Sequence, residues 1–336
     1  MNSIQKNGYF VISLDFELYW GMFDKVSLDE YGERILGERT AIPRMLELFK
    51  NQDIHATWAV VGMLMARNKQ ELLSLLPPSH LRPIYEDTRI SSYHHIETAH
   101  IGDDEKTDPY HFGPSLIKTI LETPHQELGN HTFSHYYCID GHANDVAIFA
   151  RDLEAHNAIS KTCAITTESI IFPRNQTSPS ALRVCNEKEI RAYRGNENHT
   201  LYRPRKDTEQ TLLIRGLRLL DHYFNISGHH TYSLPEKRVG EPLNIPASRF
   251  LRPWNTSLHL FEWLKLRRIK NSMTYAAKRG EIFHLWWHPH NFGIDQKENF
   301  KNLEIILNHF VHLQKKYGMQ SMSMGEITGV ALQTTA

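Results

Sequence analysis

Tyr9-Phe10-Val11-Ile12-Ser13-Leu14-Asp15 is a short, nearly continuous apolar run that stops at an acid. A strand that is apolar on both faces must be covered on both sides, which is the setting of a parallel sheet flanked by helices. Related runs recur at His55–Gly62, Ser169–Phe172, Leu217–Leu220 and Glu281–Trp287. Helical spacing fills the intervals. Ile42, Met45, Leu46 and Phe49 form one stripe over Thr40–Lys50, and further helices are expected at Pro114–Leu121, Asp145–Ile159, Ser178–Glu187, Leu258–Lys278 and Asn299–Lys316. Strand, helix and strand within the first 62 residues make a βαβ unit. With no internal repeat and no low-complexity linker, the alternation predicts an α/β fold: a single-domain distorted (β/α) barrel over residues 1–336, with its chemistry at the C-terminal ends of the strands. Its core is expected over about 9–293, followed by a helical region over about 294–330. A polar insertion over about 64–123 is expected near the active site, as a cap.

The charge balance narrows the function. Lys and Arg number 38, Asp and Glu 38, with no charge block, so nothing points to nucleic acid. Mean hydropathy is −0.47, and no stretch approaches the roughly 18 to 20 apolar residues of a transmembrane helix. Cys138, Cys163 and Cys185 are odd in number and lack CxxC spacing, which fits a reducing compartment without a thiolate zinc site. Met1 to Gly8 shows no signal-type apolar core. These features lead to the expectation of a cytoplasmic protein; they carry no signal of oligomeric state.

Four segments carry unusual side chains. In Glu127-Leu128-Gly129-Asn130-His131-Thr132-Phe133-Ser134-His135, two histidines four residues apart are expected about one helical turn from each other, where both imidazoles reach one metal ion. In Asp15-Phe16-Glu17, extended backbone sends both carboxylates to one side, which suggests one metal ligand and one general base. In Phe172-Pro173-Arg174-Asn175, an arginine behind a strand could orient a carboxylate through its fork of donors. In Trp286-Trp287-His288-Pro289-His290-Asn291, a histidine behind two tryptophans is a candidate general acid. Trp20, Trp286 and Trp287, with Asn291, are candidate substrate contacts, the indoles as flat aromatic walls.

In this order the motifs resemble the NodB-homology polysaccharide deacetylases, carbohydrate esterase family 4. In that family a first strand ends in an acidic motif, as Ser13-Leu14-Asp15-Phe16-Glu17 does here. Ala56-Thr57-Trp58-Ala59-Val60-Val61-Gly62 is similar to its second strand, and His131-Thr132-Phe133-Ser134-His135 matches its H-[ST]-x-x-H metal motif completely. His288 matches its late histidine. The resemblance implies a barrel of the NodB type, a divalent metal ion, Zn2+ above all, on Glu17, His131 and His135, and Asp15 as base with His288 as acid. Three features depart from the family pattern. Phe16 separates the two carboxylates of the acidic motif, which leaves open whether Glu17 or Asp15 is the metal ligand. The third motif is usually Arg-x-Pro, whereas here Pro173 precedes Arg174, which stands as the functional equivalent that keeps Asp15 ionised. The fourth, an aspartate and a tryptophan that tune the late histidine, has only Asp221 as a candidate.

The resemblance implies a metal-dependent hydrolase that removes an N-acetyl group from an amino sugar. The carrier would be a nucleotide, a lipid or a small glycan, in surface-polysaccharide metabolism. Two alternatives stay open: a deformylase or other linear or cyclic amide hydrolase of the same superfamily, and an inactive carbohydrate-binding protein. Against the latter, a pure binder has no need of both an acid and a base.

Overall fold

The computed structural model describes residues 7–139, 145–203 and 211–334. The first six residues, part of the segment read for an export signal, lie outside them. The first half of the chain contains β1 (Tyr9–Phe16), α1 (Leu28–Asn51), β2 (Ala56–Val60), α2 (Lys69–Leu75), α3 (Ser92–Thr98), α4 (Pro114–Leu121), β3 (Gln126–Asn130) and α5 (Val146–Thr162). The second half contains β4 (Ser169–Ile170), α6 (Pro179–Glu187), β5 (Ala192–Tyr193), α7 (Leu212–Tyr223), β6 (Leu243–Asn244), β7 (Arg249–Phe250), α8 (Glu262–Arg279), β8 (Ile282–Trp287), α9 (Gln296–Tyr317), β9 (Gln320–Met322) and α10 (Met324–Thr334).

Strands pair in the order β6-β5-β4-β3-β2-β1-β8-β7, and every pairing is parallel. The result is a curled half-barrel surrounded by helices, the distorted (β/α) barrel that the sequence predicts. Its two edge strands, β6 and β7, are separated in the chain only by residues 245–248. Along that stretch Ile245 and Ala247 N–H groups still donate to the β5 side, at Tyr193 and Gly195, and Ser248 N–H already donates to His284 of β8. One extended segment thus hands over from one edge of the sheet to the other.

The period of β1 decides what faces where. Phe10, Ile12, Leu14 and Phe16 belong to the large apolar cluster shared with Ile35, Met45 and Phe49 of α1 and Phe300 and Phe310 of α9. The odd positions turn inward. Val11 packs with Ala59, Ile171 and Ile282 and with Met324 and Ile327 of α10, which plugs the N-terminal end of the sheet. Ser13 and Asp15 continue the same inward face toward the other end. An apolar floor beneath a polar top follows from one alternating strand.

Several expected elements differ in extent. α1 begins at Leu28 rather than Thr40, because Ser27 and Glu30 form a reciprocal capping box there. Leu217–Leu220, expected as a strand, lies inside α7: four residues are too short a window to tell a strand from a helical stripe. The stretch 64–123 folds into α2, α3, α4 and short 3-10 turns.

Candidate active site at the strand ends

Glu17 leaves β1 beside Asp15 and enters a 3-10 turn, Leu18–Gly21, in which Leu18 has φ 47°. The turn brings Gly21 back onto Glu17. A Cβ on Gly21 would lie 2.0 Å from the Glu17 carboxyl carbon, so any other residue there would displace that carboxyl. His131 follows β3 directly, but the histidine pair does not sit on a helix as expected. Its loop reverses through Thr132 at φ 64° and His135 at φ 55°. Side chains hold those values in place. Asn130 Oδ1 accepts the Thr132 N–H at 2.6 Å, and Thr132 Oγ1 accepts the Tyr136 N–H at 2.7 Å. Buried Asp152 of α5 accepts the N–H groups of Phe133 and Ser134 at 2.7 and 3.2 Å, and the Ser134 hydroxyl. Burial pushes the Asp152 carboxyl up to about 6. Nothing local in the sequence singles out this aspartate.

The loop brings one nitrogen of each histidine to Glu17. Glu17 Oε2 lies 3.1 Å from His135 Nε2 and 3.4 Å from His131 Nε2, and the three ligand atoms are within 4.8 Å of one another. His131 Nδ1 meets the Ile171 carbonyl at 2.8 Å, which fixes the proton on Nδ1 and leaves the Nε2 lone pair toward Glu17. His135 Nδ1 is 2.9 Å from the Tyr137 hydroxyl. Burial alone would raise the pKa of Glu17. With the imidazoles protonated, the charge of His288 and hydrogen bonds from His131 and His135 outweigh it and hold the carboxyl well below its ordinary range. Burial lowers the pKa of His135, against the pull of Glu17. Two neutral imidazoles and a carboxylate are a donor set that suits zinc and related divalent ions.

Asp15 points the same way and has a different partner. Arg194, the residue after β5, is fully buried and grips it through two parallel hydrogen bonds, NH1 to Oδ1 at 2.7 Å and NH2 to Oδ2 at 2.8 Å. The guanidinium also donates to Ser13 Oγ at 3.0 Å and to Asn175 Oδ1 at 2.8 Å, and lies over the Trp286 ring at 4.1 Å. Burial would raise the Asp15 pKa, but Arg194, with His131 and His288, lowers it. Behind this pair, His284 Nε2 meets Ser13 Oγ at 2.8 Å, and burial pushes its pKa down to about 3.

This corrects the expectation for Arg174, whose guanidinium instead forms an ion pair with Asp24 and stacks 4.1 Å over Tyr137. Arg194 sits behind a two-residue strand, too short to leave a periodic signal; only the Arg-Gly step after Ala192-Tyr193 marks it.

His288 comes off β8 opposite the acids. Its Nε2 is 3.8 Å from Asp15 Oδ2 and 3.7 Å from Glu17 Oε1, and the side chain is 24% exposed. The turn after it is clamped to α1 by close backbone contact: a Cβ on Gly37 would lie 1.9 Å from the Gly293 carbonyl oxygen. A cavity of about 230 Å³ opens among Asp15, Glu17, His131, His135, Arg174, Asn175, Trp286 and His288, with Gly21, Met22 and Lys25 on its rim.

Of the expected substrate contacts, only Trp286 lines it. Trp20 is fully buried and donates its N–H to the His111 carbonyl at 2.8 Å, and Trp287 is fully buried against Phe49 and Phe292. Asn291 is buried too, its carbonyl accepting from Asn299. Alternation explains the tryptophans: adjacent residues of one strand face opposite ways. Asp221 is held by Arg249 at 2.6 Å and Arg268 at 3.1 Å, not by His288.

Among the described residues, none from 64–123 lines the cavity. The insertion braces the loops from behind instead. Ser92 Oγ donates to the Ser134 carbonyl at 2.7 Å, and the Tyr85 hydroxyl accepts the Tyr137 N–H at 3.1 Å.

Comparison with known proteins identifies the family. The sequence profile of the polysaccharide deacetylases matches residues 22–193, half of the chain. No curated protein sequence matches at a significant level. Among solved structures, a protein assigned to the polysaccharide deacetylases from Mycobacterium smegmatis shares 11% identity at a TM-score of 0.62, covering 99% of this chain and 93% of its own. A second so assigned, from Pseudomonas aeruginosa PAO1, shares 13% at 0.51, covering 95% of this chain and 88% of its own. A 4-alpha-glucanotransferase from Thermococcus litoralis shares 10% at 0.53, over 96% of this chain and 40% of its own. At such identities the structures establish the fold alone, and the fold serves more than one chemistry. The profile match decides the family: this chain belongs to the polysaccharide deacetylases.

Proposed function

We propose that the protein is a metal-dependent hydrolase that removes the N-acetyl group of an amino sugar. The observation that carries this reading is the division of the two acids. Glu17 faces two imidazole nitrogens, whereas Asp15 is gripped by Arg194, and His288 stands within 3.8 Å of both. Glu17, His131 and His135 would hold a divalent ion such as Zn2+, which would supply Lewis-acid polarisation of an amide carbonyl and of a water molecule. Asp15, kept ionised and aimed by Arg194, accepts the proton of the attacking water at a carboxylate oxygen. Water oxygen bonds to the carbonyl carbon, and the C–N bond then breaks. His288 supplies its Nε2 proton to the departing nitrogen, so the products are acetate and a free amine. Trp286 offers a flat wall to a sugar ring, and Arg194 beneath its indole fixes the wall in place.

Asp15→Asn tests the reading directly. The variant should keep its metal and lose acetate release from N-acetylamino sugars by roughly 10²- to 10⁴-fold, the usual contribution of a general base. Retained activity would remove Asp15 from the role of base. Acetate release from no N-acetyl sugar, with formyl or cyclic amides cleaved, would favour the wider amide-hydrolase reading.

A further inference from the structure

A second cavity, of about 230 Å³, adjoins the first across Arg174, Asn175 and Trp286, which line both. Its remaining wall is cationic. Among the described residues, Arg203, Arg218 and Arg252 line it, with Glu197 as the only carboxyl. The arginines are positioned rather than loose. Arg218 donates to the Leu201 carbonyl at 2.9 Å beside the Tyr202 ring, and Arg174 is stacked on Tyr137. Two buried polar atoms of the wall lack a protein partner: Trp286 Nε1 and His222 Nε2. His222 Nδ1 is tied to the Arg218 carbonyl at 2.6 Å, so its Nε2 is an acceptor suited to a hydroxyl, while Trp286 Nε1 is a donor suited to an anionic or carbonyl oxygen.

We propose that this cavity holds the phosphate or diphosphate of a glycosyl phosphate, so that the substrate is an N-acetylamino sugar joined to its carrier through phosphate; this rests on the deacetylase reading above. Three guanidinium groups, of Arg203, Arg218 and Arg252, beside the Asp24-paired Arg174, surround a cavity next to the catalytic cleft and suit the charge and fork geometry of phosphate oxygens. They would have little to contribute to an uncharged glycan. The carrier is either a nucleoside or an isoprenoid lipid, which share this chemistry. Beyond the cavity α7 exposes Leu213, Leu217 and Leu220, an apolar face next to Arg218 that suits the lipid.

The test compares acetate release from a free N-acetylhexosamine, its 1-phosphate, a nucleoside-diphosphate N-acetylhexosamine and an isoprenoid-diphosphate N-acetylhexosamine in detergent micelles. At least one phosphorylated form should show kcat/KM at least tenfold above the free sugar, and which one wins identifies the carrier. Arg252→Ala and Arg218→Ala should raise KM for that form about tenfold more than for the free sugar, with kcat little altered. Equal kcat/KM for free and phosphorylated sugars, or equal loss on both in the variants, overturns the proposal. Binding of inorganic pyrophosphate by calorimetry tests the cavity without turnover. It should weaken in Arg252→Ala and persist in the His135→Ala variant. Loss in His135→Ala alone assigns the anion to the metal site and also overturns the proposal. An enzyme inactive on every sugar that still binds pyrophosphate through Arg252 would instead remove the deacetylase reading.

Discussion

The two ends of the sheet carry the same kinds of metal-ligating side chain in opposite settings. At the C-terminal end Glu17, His131 and His135 are buried, each no more than 4% exposed in its side chain. At the N-terminal end Asp53, His55 and His125 also bring their ligand atoms within 4.8 Å of one another. There the Asp53 side chain is 71% exposed and that of His125 50%. The imidazoles of His55 and His125 stack at 4.1 Å, nearly parallel, and His55 Nδ1 is held at 2.7 Å by Glu326. What separates the ends is the support around each donor. The upper histidines are oriented by a carbonyl, a tyrosine hydroxyl and a loop built around Asp152. The lower cluster rests on solvent-facing side chains that must be ordered anew for any ion. Pre-orientation, rather than the identity of the donors, distinguishes the proposed metal centre from a surface group.

The largest expected effect breaks the upper end. His135→Ala should lose both tightly bound metal and acetate release, whereas His125→Ala should keep both. Metal analysis of the two purified variants decides, and equal metal loss in both would erase the contrast. Next in size is Arg194→Met. Removing one partner of a buried ion pair costs about 3–5 kcal/mol, so Tm should fall substantially; an unchanged melting curve would mean that Asp15 is not dependent on Arg194. Asp152→Asn probes the loop that orients the upper histidines. Metal affinity should drop roughly 10- to 100-fold, as for other outer-shell groups, while the fold survives. Competition with a chromogenic chelator measures it.

The smallest effect belongs to the lower end. Glu326 raises the pKa of His55 through their hydrogen bond, and His55 lowers that of Glu326 against the effect of burial. A histidine with a raised folded pKa stabilises fully below its unfolded value of about 6.5 and loses that contribution as pH rises through the folded value. On the acid side the contribution disappears as pH falls through the lowered pKa of Glu326. The stability lost in Glu326→Gln should therefore be greatest near about pH 5–6 and fade in alkali. Solvent screening keeps it within about 0.2–1 kcal/mol. A penalty that grows with pH would reverse this assignment.

Much of the site was legible because it lies at strand ends. Asp15 and Glu17 share a side by the two-residue period of extended chain, and His288 follows an apolar run directly, whereas His131 follows the polar strand Gln126–Asn130 and was legible from its spacing to His135. The same period misplaced Trp287, since neighbours on a strand cannot both face the cavity. Arg174 was legible as an arginine behind a strand, but its partner Asp24 was not. Arg194 escaped because its strand has two residues and its partner lies 179 positions away. The cap expected of residues 64–123 became a brace, because Ser92 and Tyr85 spend their hydroxyls on the backbone behind the histidine loop.

Sequence alone determined the alternation of strands and helices, the inward face of β1 and the donor types brought to one end, because these follow from local periodicity and side-chain chemistry. Tertiary structure decided which arginine holds which acid, which tryptophan meets solvent and how the two histidines turn toward Glu17. Those depend on lateral strand order and on burial, which no short window of sequence contains.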